Sequence, residues 1–355
     1  MSKGEMMSNR TIMEQEALSA PKKIAKQLTE NKEIWVKICN ELKQTDPKYV
    51  MTIARGSSDH AATFAKYLFE VKMGLVTSSA APSVYTIYNR SIASKHGIVM
   101  GISQSGQSPD LYETQRRATD MGASTIALVN HVDSPLAEAS KYVVPLHAGD
   151  EHAVAATKSY VATLVALVQF AATYSEDKEL LAALEKLPEA LEKCCSLNWD
   201  SCIDSLQVTT DAYVIGRGFG YPIAQEAALK LKETSSIHAE PFSSAEVLHG
   251  PFALIKKQFP VLVFAQNDQS LQGVVEMTRR MTEMGARTLF AYPEKERLPE
   301  SLICSSRLEM PKSLHPILDP ILMIQAFYLM AAKLAIKRGL NPDKPENLQK
   351  VTSTR

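Results

Sequence analysis

Three charged residues, Glu226, Lys230 and Glu233, recur at intervals of four and three in the sequence. On an α-helix these intervals place all three side chains on one face. The residues between them are mainly Ala and Leu, and the segment follows the glycine-rich turn 216–220. A carboxylate beside a lysine is suited to moving a proton between neighbouring atoms. The spacing therefore indicates a catalytic helix, although two solvated ion pairs on a surface helix would show the same pattern.

A hydroxyl-rich segment, Ser103-Gln-Ser-Gly-Gln-Ser108, separates the apolar run 96–102 from a helical pattern over 111–121. A turn from a buried strand into a helix presents backbone N–H groups where the helix dipole favours an anion. Because the segment contains no Lys or Arg, it suits a phosphorylated metabolite better than a nucleotide held by a P-loop lysine. The alternative is an ordinary serine N-cap with Pro109 at the first helical position.

The elements that must position these groups alternate between strand and helix. We expect helices over 11–45 with a break at Pro21, and then five strands, over 49–54, 83–86, 96–102, 125–129 and 142–146. Such alternation predicts a parallel sheet wound on both faces, with ligands at the carboxyl ends of the strands. The first strand is followed by a second Gly-Ser loop, Gly56-Ser57-Ser58, so both hydroxyl-rich loops are expected at such ends.

The second half of the chain repeats the first. Arg55-Gly56 recurs as Arg217-Gly218, 162 residues later, and Arg116-Arg117 recurs as Arg279-Arg280, 163 residues later. An internal duplication of one α/β unit accounts for both offsets. In the second copy the segment 266–270 replaces the serine loop, so only the first copy is expected to hold phosphate. We predict N-terminal helices over 1–44, α/β domains over 45–190 and 200–340, and a C-terminal tail over 341–355.

Composition limits the class of protein. The 355 residues are 45% hydrophobic and 22% charged, with 39 basic and 39 acidic side chains, so no net field attracts nucleic acid or an anionic membrane. The five cysteines form no CxxC pair, and no His and carboxylate cluster has the spacing of metal ligands. We expect a cytoplasmic protein with no cofactor, no metal and neither a signal peptide nor a membrane span.

Several separated motifs occur together in an order that is known from one family. They are Gly56-Ser57-Ser58, the loop 103–108, the helix 226–233, His238-Ala-Glu240, His249-Gly250-Pro251 and the C-terminal segment 341–350. From about residue 45 onwards the chain resembles the tandem sugar isomerase (SIS) domain family, in particular the isomerase half of glucosamine-6-phosphate synthases. The resemblance implies two tandem SIS domains, each a flavodoxin-like, doubly wound parallel sheet flanked by helices.

The resemblance also implies roles for individual residues. Glu233 would carry the proton between two sugar carbons, with Lys230 assisting at the sugar oxygens. His249 would open the sugar ring from across a subunit interface, and Lys350 would form a Schiff base with the open ketose, which requires the tail 341–355 to fold over the site. The remaining positions fall into a phosphate-binding and a sugar-binding set, which are Ser57, Ser58, Ser103, Gln104, Ser105 and Ser108 for phosphate and Val154, Ala156 and Glu226 for the sugar. Ala156 departs from the family pattern, in which a serine contacts the sugar.

The synthases carry a glutaminase domain ahead of the isomerase half, whereas here a short helical stretch precedes the first predicted domain. The resemblance therefore implies a glucosamine-6-phosphate deaminase, a homodimer with composite active sites that takes a phosphosugar as its small-molecule substrate. Two enzyme alternatives are a galactosamine-6-phosphate deaminase/isomerase and a deglycase of phosphorylated fructose–amine adducts. The alternative from another class is a phosphosugar-sensing module, which would carry a DNA-binding segment and lack the catalytic set.

Overall fold

The computed structural model describes residues 10–293 and 298–350. The first nine residues of the predicted segment 1–44 and the last five of the predicted tail 341–355 lie outside the described residues. The described residues group into two compact units. Unit I contains residues 22–151, 158–185 and 349–350, and unit II contains residues 10–21, 152–157 and 186–348 without the gap at 294–297.

Unit I is built on a five-stranded sheet in which all neighbouring strands are parallel. The strands are β1 (Tyr49–Ile53), β2 (Val76–Ser79), β3 (Gly97–Ser103), β4 (Ser124–Val129) and β5 (Tyr142–Pro145). They lie in the order β2-β1-β3-β4-β5, which is that of a flavodoxin-like doubly wound sheet. Every residue of β3 is buried, as expected for the central strand of a sheet covered on both faces.

Unit II repeats this architecture. Its strands are β6 (Asp211–Gly216), β7 (His238–Ser243), β8 (Pro260–Phe264), β9 (Arg287–Ala291) and β10 (Ser306–Leu308). All neighbouring pairs are parallel, and the order from the other edge is β7-β6-β8-β9-β10, which matches the first sheet strand for strand. The repeated order confirms the predicted fold class and the internal duplication.

The helices connect and cover the strands. Those up to residue 194 are α1 (Ile12–Glu30), α2 (Lys32–Thr45), α3 (Ser57–Met73), α4 (Pro82–Thr86), α5 (Pro109–Asp120), α6 (Pro135–Glu138), α7 (Lys158–Tyr174) and α8 (Lys178–Cys194). Those after it are α9 (Asp200–Leu206), α10 (Gly220–Ser235), α11 (Leu271–Glu283) and α12 (Asp319–Lys337), with 3₁₀ turns at Glu246–Leu248 and Pro251–Leu254.

One predicted strand is wrong. Residues 83–86 lie in the short helix α4, which begins at Pro82 and ends with a hydrogen bond from Ile87 N to Ser83 O. Proline at the first helical position favours a helix start, because its missing N–H has no intrahelical partner there. The strand that completes the sheet is β2, at its edge, where only Thr77 is buried. An exposed polar edge strand has no hydrophobic alternation from which it could be predicted.

The predicted break at Pro21 is also wrong, because α1 continues through that residue. Proline has no N–H to donate to the carbonyl four residues earlier, which is that of Ala17. In unit II the buried side chain of Gln325 donates to Ala17 O at 2.8 Å and replaces the missing hydrogen bond. A donor 308 residues away in the sequence therefore accommodates the proline within the helix.

Helix α12 is long and apolar enough to cross a membrane by length and composition, and 89% of its most apolar window is buried inside the fold. It is the one such helix among residues 10–293 and 298–350. Core helices of water-soluble proteins have the same length and composition. In unit II, α12 packs against α9 and α10.

Candidate active site

The three charged residues of α10 meet as the spacing predicts. Lys230 Nζ lies 2.5 Å from Glu233 Oε2 and 3.5 Å from Glu226 Oε1. The Lys230 side chain is 1% exposed and that of Glu226 is fully buried, whereas the Glu233 side chain is 21% exposed. The lysine is therefore held inside the protein between two carboxylates, and of these only Glu233 is open to solvent. This excludes the alternative of solvated surface ion pairs.

The interior side of this cluster contains a residue that the sequence analysis missed. Tyr328, fully buried on α12, donates its hydroxyl hydrogen bond to Glu226 Oε1 at 3.0 Å. Nothing distinguishes Tyr328 in the sequence from its apolar neighbours on that helix. Burial alone would lower the pKa of Lys230, but the charges of Glu226 and Glu233 outweigh it and hold the pKa above its ordinary value. Lys230 therefore stays charged at neutral pH.

Glu233 borders a cavity of about 610 Å³ within unit II. The cavity is formed by the second half of α10 and by the segment that follows α12. Its lining residues are Leu229, Lys232, Glu233, Thr234, Ser236, Gly339, Leu340, Asn341, Lys344, Pro345, Glu346, Asn347 and Leu348. Residues of the predicted tail thus lie beside the carboxylate that the sequence analysis assigns to proton transfer.

The two hydroxyl-rich loops follow adjacent strands of unit I. β1 and β3 are hydrogen-bonded neighbours, and they stand where the strand order reverses. In doubly wound sheets this position forms a ligand-binding crevice at the carboxyl ends of the strands. The half-buried Ser57 and Ser58 are the first residues of α3 after β1, and Ser108 is the N-cap residue of α5 after β3.

Within the loop 103–108 the serine hydroxyls act as acceptors. Ser103 Oγ accepts from Gly106 N at 3.0 Å, and Ser105 Oγ accepts from Gln107 N at 3.4 Å. Each hydroxyl still has its O–H available to donate to a ligand. Gly106 has φ +65°, and a Cβ there would lie 2.2 Å from Ser134 Oγ, so the tight turn requires glycine. Gln104 Nε2 lies 3.4 Å from His131 Nε2.

The corresponding loop of unit II is filled by its own side chains. Gln266 Nε2 donates to Arg217 O at 2.7 Å, to Asp268 Oδ2 at 3.0 Å and to Ser270 Oγ at 3.1 Å. A Cβ on Gly220 would lie 2.7 Å from Gln266 Oε1, so the glutamine occupies the space at the carboxyl end of β6. Which copy holds phosphate stays a prediction.

His249 lies after the 3₁₀ turn Glu246–Leu248 and is exposed. Its backbone N–H donates to Glu246 O at 2.9 Å. Its imidazole has no hydrogen-bond or ion-pair partner among residues 10–293 and 298–350. The structure of one chain therefore does not bring His249 into the cluster around Lys230.

Lys350 lies in unit I, where its Nζ is 3.9 Å from Glu151 Oε2. The fully buried Glu151 carboxylate also accepts from Ser159 Oγ at 2.5 Å. The predicted sugar-binding residues Val154 and Ala156 are half-buried in unit II, and Val154 N donates to Asp343 O at 3.0 Å. Glu226, also predicted to bind sugar, instead contacts Lys230 and Tyr328 in the interior of unit II.

Within the described part of the chain, no three His, Cys, Asp or Glu side chains are grouped so that they could hold a metal ion. Burial raises the pKa of the Cys39 thiol to about 12, and a charge on Lys43 only partly offsets this. A thiol with that pKa is protonated at neutral pH and is a poor nucleophile.

Comparison with known proteins identifies related sequences. The profile of the SIS domain matches residues 43–173 and 206–289. The chain is 35% identical over 315 residues to the isomerizing glutamine–fructose-6-phosphate aminotransferase of Aquifex aeolicus, a match that covers 88% of this chain and 52% of the relative. The chain thus spans about half the length of that relative.

Solved structures with a similar fold are also known. A protein from Silicibacter pomeroyi DSS-3, named only provisionally as a phosphosugar isomerase, is 36% identical with a TM-score of 0.88, and the match covers 94% of this chain and 100% of that chain. The C-terminal domain of a glucosamine-fructose-6-phosphate aminotransferase from Francisella tularensis has a TM-score of 0.84 at 24% identity, over 94% of this chain and 98% of that chain. The second likeness concerns the fold alone.

Proposed function

The chain belongs to the SIS domain family, and from this premise we propose that it is a phosphosugar isomerase that deaminates glucosamine 6-phosphate to fructose 6-phosphate and ammonia. The observation that carries the proposal is the buried Lys230 held between Glu226 and Glu233, with Glu233 at the edge of a cavity. A lysine kept charged in the interior and a partly exposed carboxylate beside it provide the electrophile and the base that an aldose–ketose shift requires.

Glu233 is the proton carrier in this reaction. Once the sugar ring is open, Glu233 removes the proton from C2 of the aminoaldose and returns it to C1, which gives a ketose imine at C2. Water adds to the imine carbon, and the C2–N bond then breaks to release ammonia and fructose 6-phosphate. The Lys230 ammonium stabilises the negative charge that develops on the sugar oxygen during the proton transfer.

Other residues serve binding and ring opening in the same proposal. The phosphate is held by Ser57, Ser58, Ser103, Gln104, Ser105 and Ser108. The position of both loops at the carboxyl ends of β1 and β3 supports this assignment. His249 of the partner subunit opens the ring, and Lys350 forms the Schiff base with the open ketose. Val154 and Ala156 contact the sugar, while the buried Glu226 positions Lys230 rather than touching substrate.

We propose that the protein acts in the cytoplasm as a homodimer with composite active sites. Its ligand is a small phosphosugar, and it uses no cofactor and binds neither nucleic acid nor membranes. The balanced charge of the sequence, with 39 basic and 39 acidic side chains, supports the exclusion of nucleic acid and membrane surfaces.

The test is ammonia release and deuterium exchange with the variant Glu233→Gln. Without the carboxylate, kcat should fall by about 10²–10⁴-fold, the contribution of a positioned general base, while KM stays within a few-fold of wild type. In D₂O the wild-type enzyme should place deuterium at C1 of the product, diluted by internal transfer, and the variant should lose this exchange together with turnover.

The matched control is Glu276→Gln, which removes an exposed carboxylate from α11 and should leave kcat unchanged.

Wild-type activity is compared on glucosamine 6-phosphate, galactosamine 6-phosphate and a phosphorylated fructose–lysine adduct. Turnover of only the second or third substrate would contradict the substrate proposed here, and near-normal deamination by Glu233→Gln would contradict the proton carrier.

A further inference from the structure

An arginine stands beside the phosphate loops although neither loop segment contains one. Arg55 lies two residues after the end of β1, and its guanidinium reaches Asp110 in the first turn of α5. Arg55 Nε and Nη2 donate to Asp110 Oδ2 at 3.0 and 2.9 Å. The ion pair therefore joins the start of the loop after β1 to the helix that begins at the end of the loop after β3.

The two partners differ sharply in exposure. The Asp110 side chain is 1% exposed, whereas that of Arg55 is 51% exposed. Asp110 is fixed in the interior, and half of the arginine surface faces solvent. Because only Nε and Nη2 bond to the carboxylate, the remaining guanidinium N–H donors are directed elsewhere. Asp110 Oδ1 is buried and accepts no hydrogen bond from residues 10–293 and 298–350, whereas the backbone carbonyl of Asp110 accepts from Thr114 Oγ1 on the same helix.

The duplicated unit provides an internal comparison. Arg217 occupies the position of Arg55 after β6, but the position 163 residues after Asp110 is Gly273. Without a carboxylate there, Arg217 Nη1 donates instead to Ser243 Oγ at 2.9 Å, at the end of β7. The copy with the serine loop therefore has the anchored arginine. The copy whose loop is filled by Gln266 has an arginine that turns away from the corresponding helix.

We propose that Arg55 binds the phosphate of the substrate and that Asp110 is its positioning residue. The inference rests on the proposed function in one respect, that the loops after β1 and β3 hold a phosphosugar. Guanidinium donors match phosphate oxygens in geometry, and a carboxylate anchor on Nε fixes the plane of the guanidinium before the ligand arrives. Asp110 also offsets the positive charge of Arg55. Binding therefore depends on the hydrogen-bond geometry of the ligand as well as on its negative charge.

Two further titratable groups face this site from the first turn of α3, Asp59 and His60. Burial raises the pKa of the Asp59 carboxyl, and His60 and Arg55 only partly oppose this. Arg55, which lies two residues after the end of β1, carries a charge opposite to that of the Asp59 carboxylate.

The experiment measures equilibrium binding of fructose 6-phosphate and of inorganic phosphate by calorimetry, with fructose as the unphosphorylated comparison. Arg55→Ala should weaken both phosphate-containing ligands by about 10- to 100-fold, as expected for lost charge-assisted hydrogen bonds. Arg55→Lys should recover only part of this, because an ammonium cannot bind Asp110 and phosphate with one planar group. The matched control Arg217→Ala should bind both ligands as wild type does.

Asp110→Asn tests the positioning role. It should weaken phosphate binding several-fold when Arg55 is present and have no further effect in an Arg55→Ala background. Thermal unfolding of every variant shows whether a loss of binding merely follows a loss of stability. Unchanged binding by Arg55→Ala would overturn the role of Arg55, and unchanged or tighter binding by Asp110→Asn would overturn that of Asp110.

These outcomes are separable from the proposed reaction. A wild-type protein that binds fructose 6-phosphate through Arg55 but releases no ammonia would leave this inference intact and contradict the deaminase. An Arg55→Ala variant that deaminates normally would contradict this inference and leave the deaminase intact. A wild-type protein that does not bind fructose 6-phosphate would overturn both.

Discussion

At the scale of single residues, the buried lysine of α10 is held between two carboxylates, and the pairing makes a prediction about stability. Lys230→Met should destabilise the protein by about 3–5 kcal/mol, because Glu226 would remain buried without its ion-pair partner. The double variant Lys230→Met/Glu226→Gln should recover most of that stability, since the uncompensated charge is gone. Urea unfolding measures both, and activity should be absent from each. A single variant as stable as wild type would contradict the structural role of the pair.

Asp59 gives a pH-dependent prediction. Burial raises its pKa above the ordinary value of 3.8, despite the opposing charges of His60 and Arg55. A carboxyl whose pKa is raised by folding contributes stability that is present below its unfolded pKa and is lost as the pH rises through its folded pKa. Asp59→Asn should therefore raise Tm more at pH 7 than at pH 4.

The control for this prediction is Asp204→Asn, at an exposed position on α9. Its Tm change should be the same at both pH values. If Asp59→Asn also shifted Tm equally at pH 4 and pH 7, burial of the ionised carboxylate would not be the cause of the destabilisation.

Sequence periodicity was sufficient for one part of the site and insufficient for another. Helical spacing fixes the angles between residues on one helix, so the shared face of Glu226, Lys230 and Glu233 could be predicted. It does not say which neighbour covers that face. The contact of Tyr328 with Glu226 depends on how α12 packs on α10, and Arg55 pairs with Asp110 across 55 residues of sequence. Contacts of this kind arise from tertiary structure alone.

At the scale of elements, the loop after β3 combines a fixed turn with donors for an anion. Replacing Ser103 and Ser105 together by Ala should raise KM for glucosamine 6-phosphate strongly, since each hydrogen bond to a charged group contributes about 1.5–3 kcal/mol. The turnover number at saturating substrate should change little, because neither hydroxyl takes part in the proton transfer. Steady-state kinetics measures both constants, and an unchanged KM would remove these residues from the phosphate site.

The matched control for that loop is the duplicated segment, where Ser270→Ala removes a hydroxyl that hydrogen-bonds to Asp268 and Gln266. Its KM should equal that of wild type.

The elements themselves could be predicted where burial is continuous, as in β3 and β4. They were missed where burial is slight, as in β2, and where a distant side chain compensates a proline, as in α1.

At the scale of the whole molecule, the exposed imidazole of His249 motivates a prediction about assembly. Mixing inactive Glu233→Gln with inactive His249→Ala should restore activity if each site takes its histidine from the neighbouring subunit. Random exchange in a symmetric dimer would restore about a quarter of wild-type activity, because half of the dimers are mixed and each has one intact site. Activity is measured after subunit exchange, with the fraction of mixed dimers determined by mass spectrometry.

Mixing Glu233→Gln with Glu233→Ala is the control, since no arrangement of those subunits yields an intact site. Mixed dimers that form but stay inactive would contradict shared sites.

The duplication and the class of the fold were visible in the sequence, because repeated Arg-Gly and Arg-Arg pairs mark equivalent turns and helices. The subunit arrangement was not, because nothing in the spacing of one chain specifies the surface of another.

The glutamine that fills the second crevice has an evolutionary consequence. A side chain on Gly220 would collide with Gln266, because its Cβ would lie 2.7 Å from Gln266 Oε1. Substitution of Gly220 is therefore expected to be tolerated only alongside a change at position 266, and among related sequences the two should covary. The serines of the first copy have no such internal counterpart and should vary with the ligand instead. The proposed roles thus place one ancestral loop under two kinds of natural selection, for packing in one half of the chain and for recognition in the other.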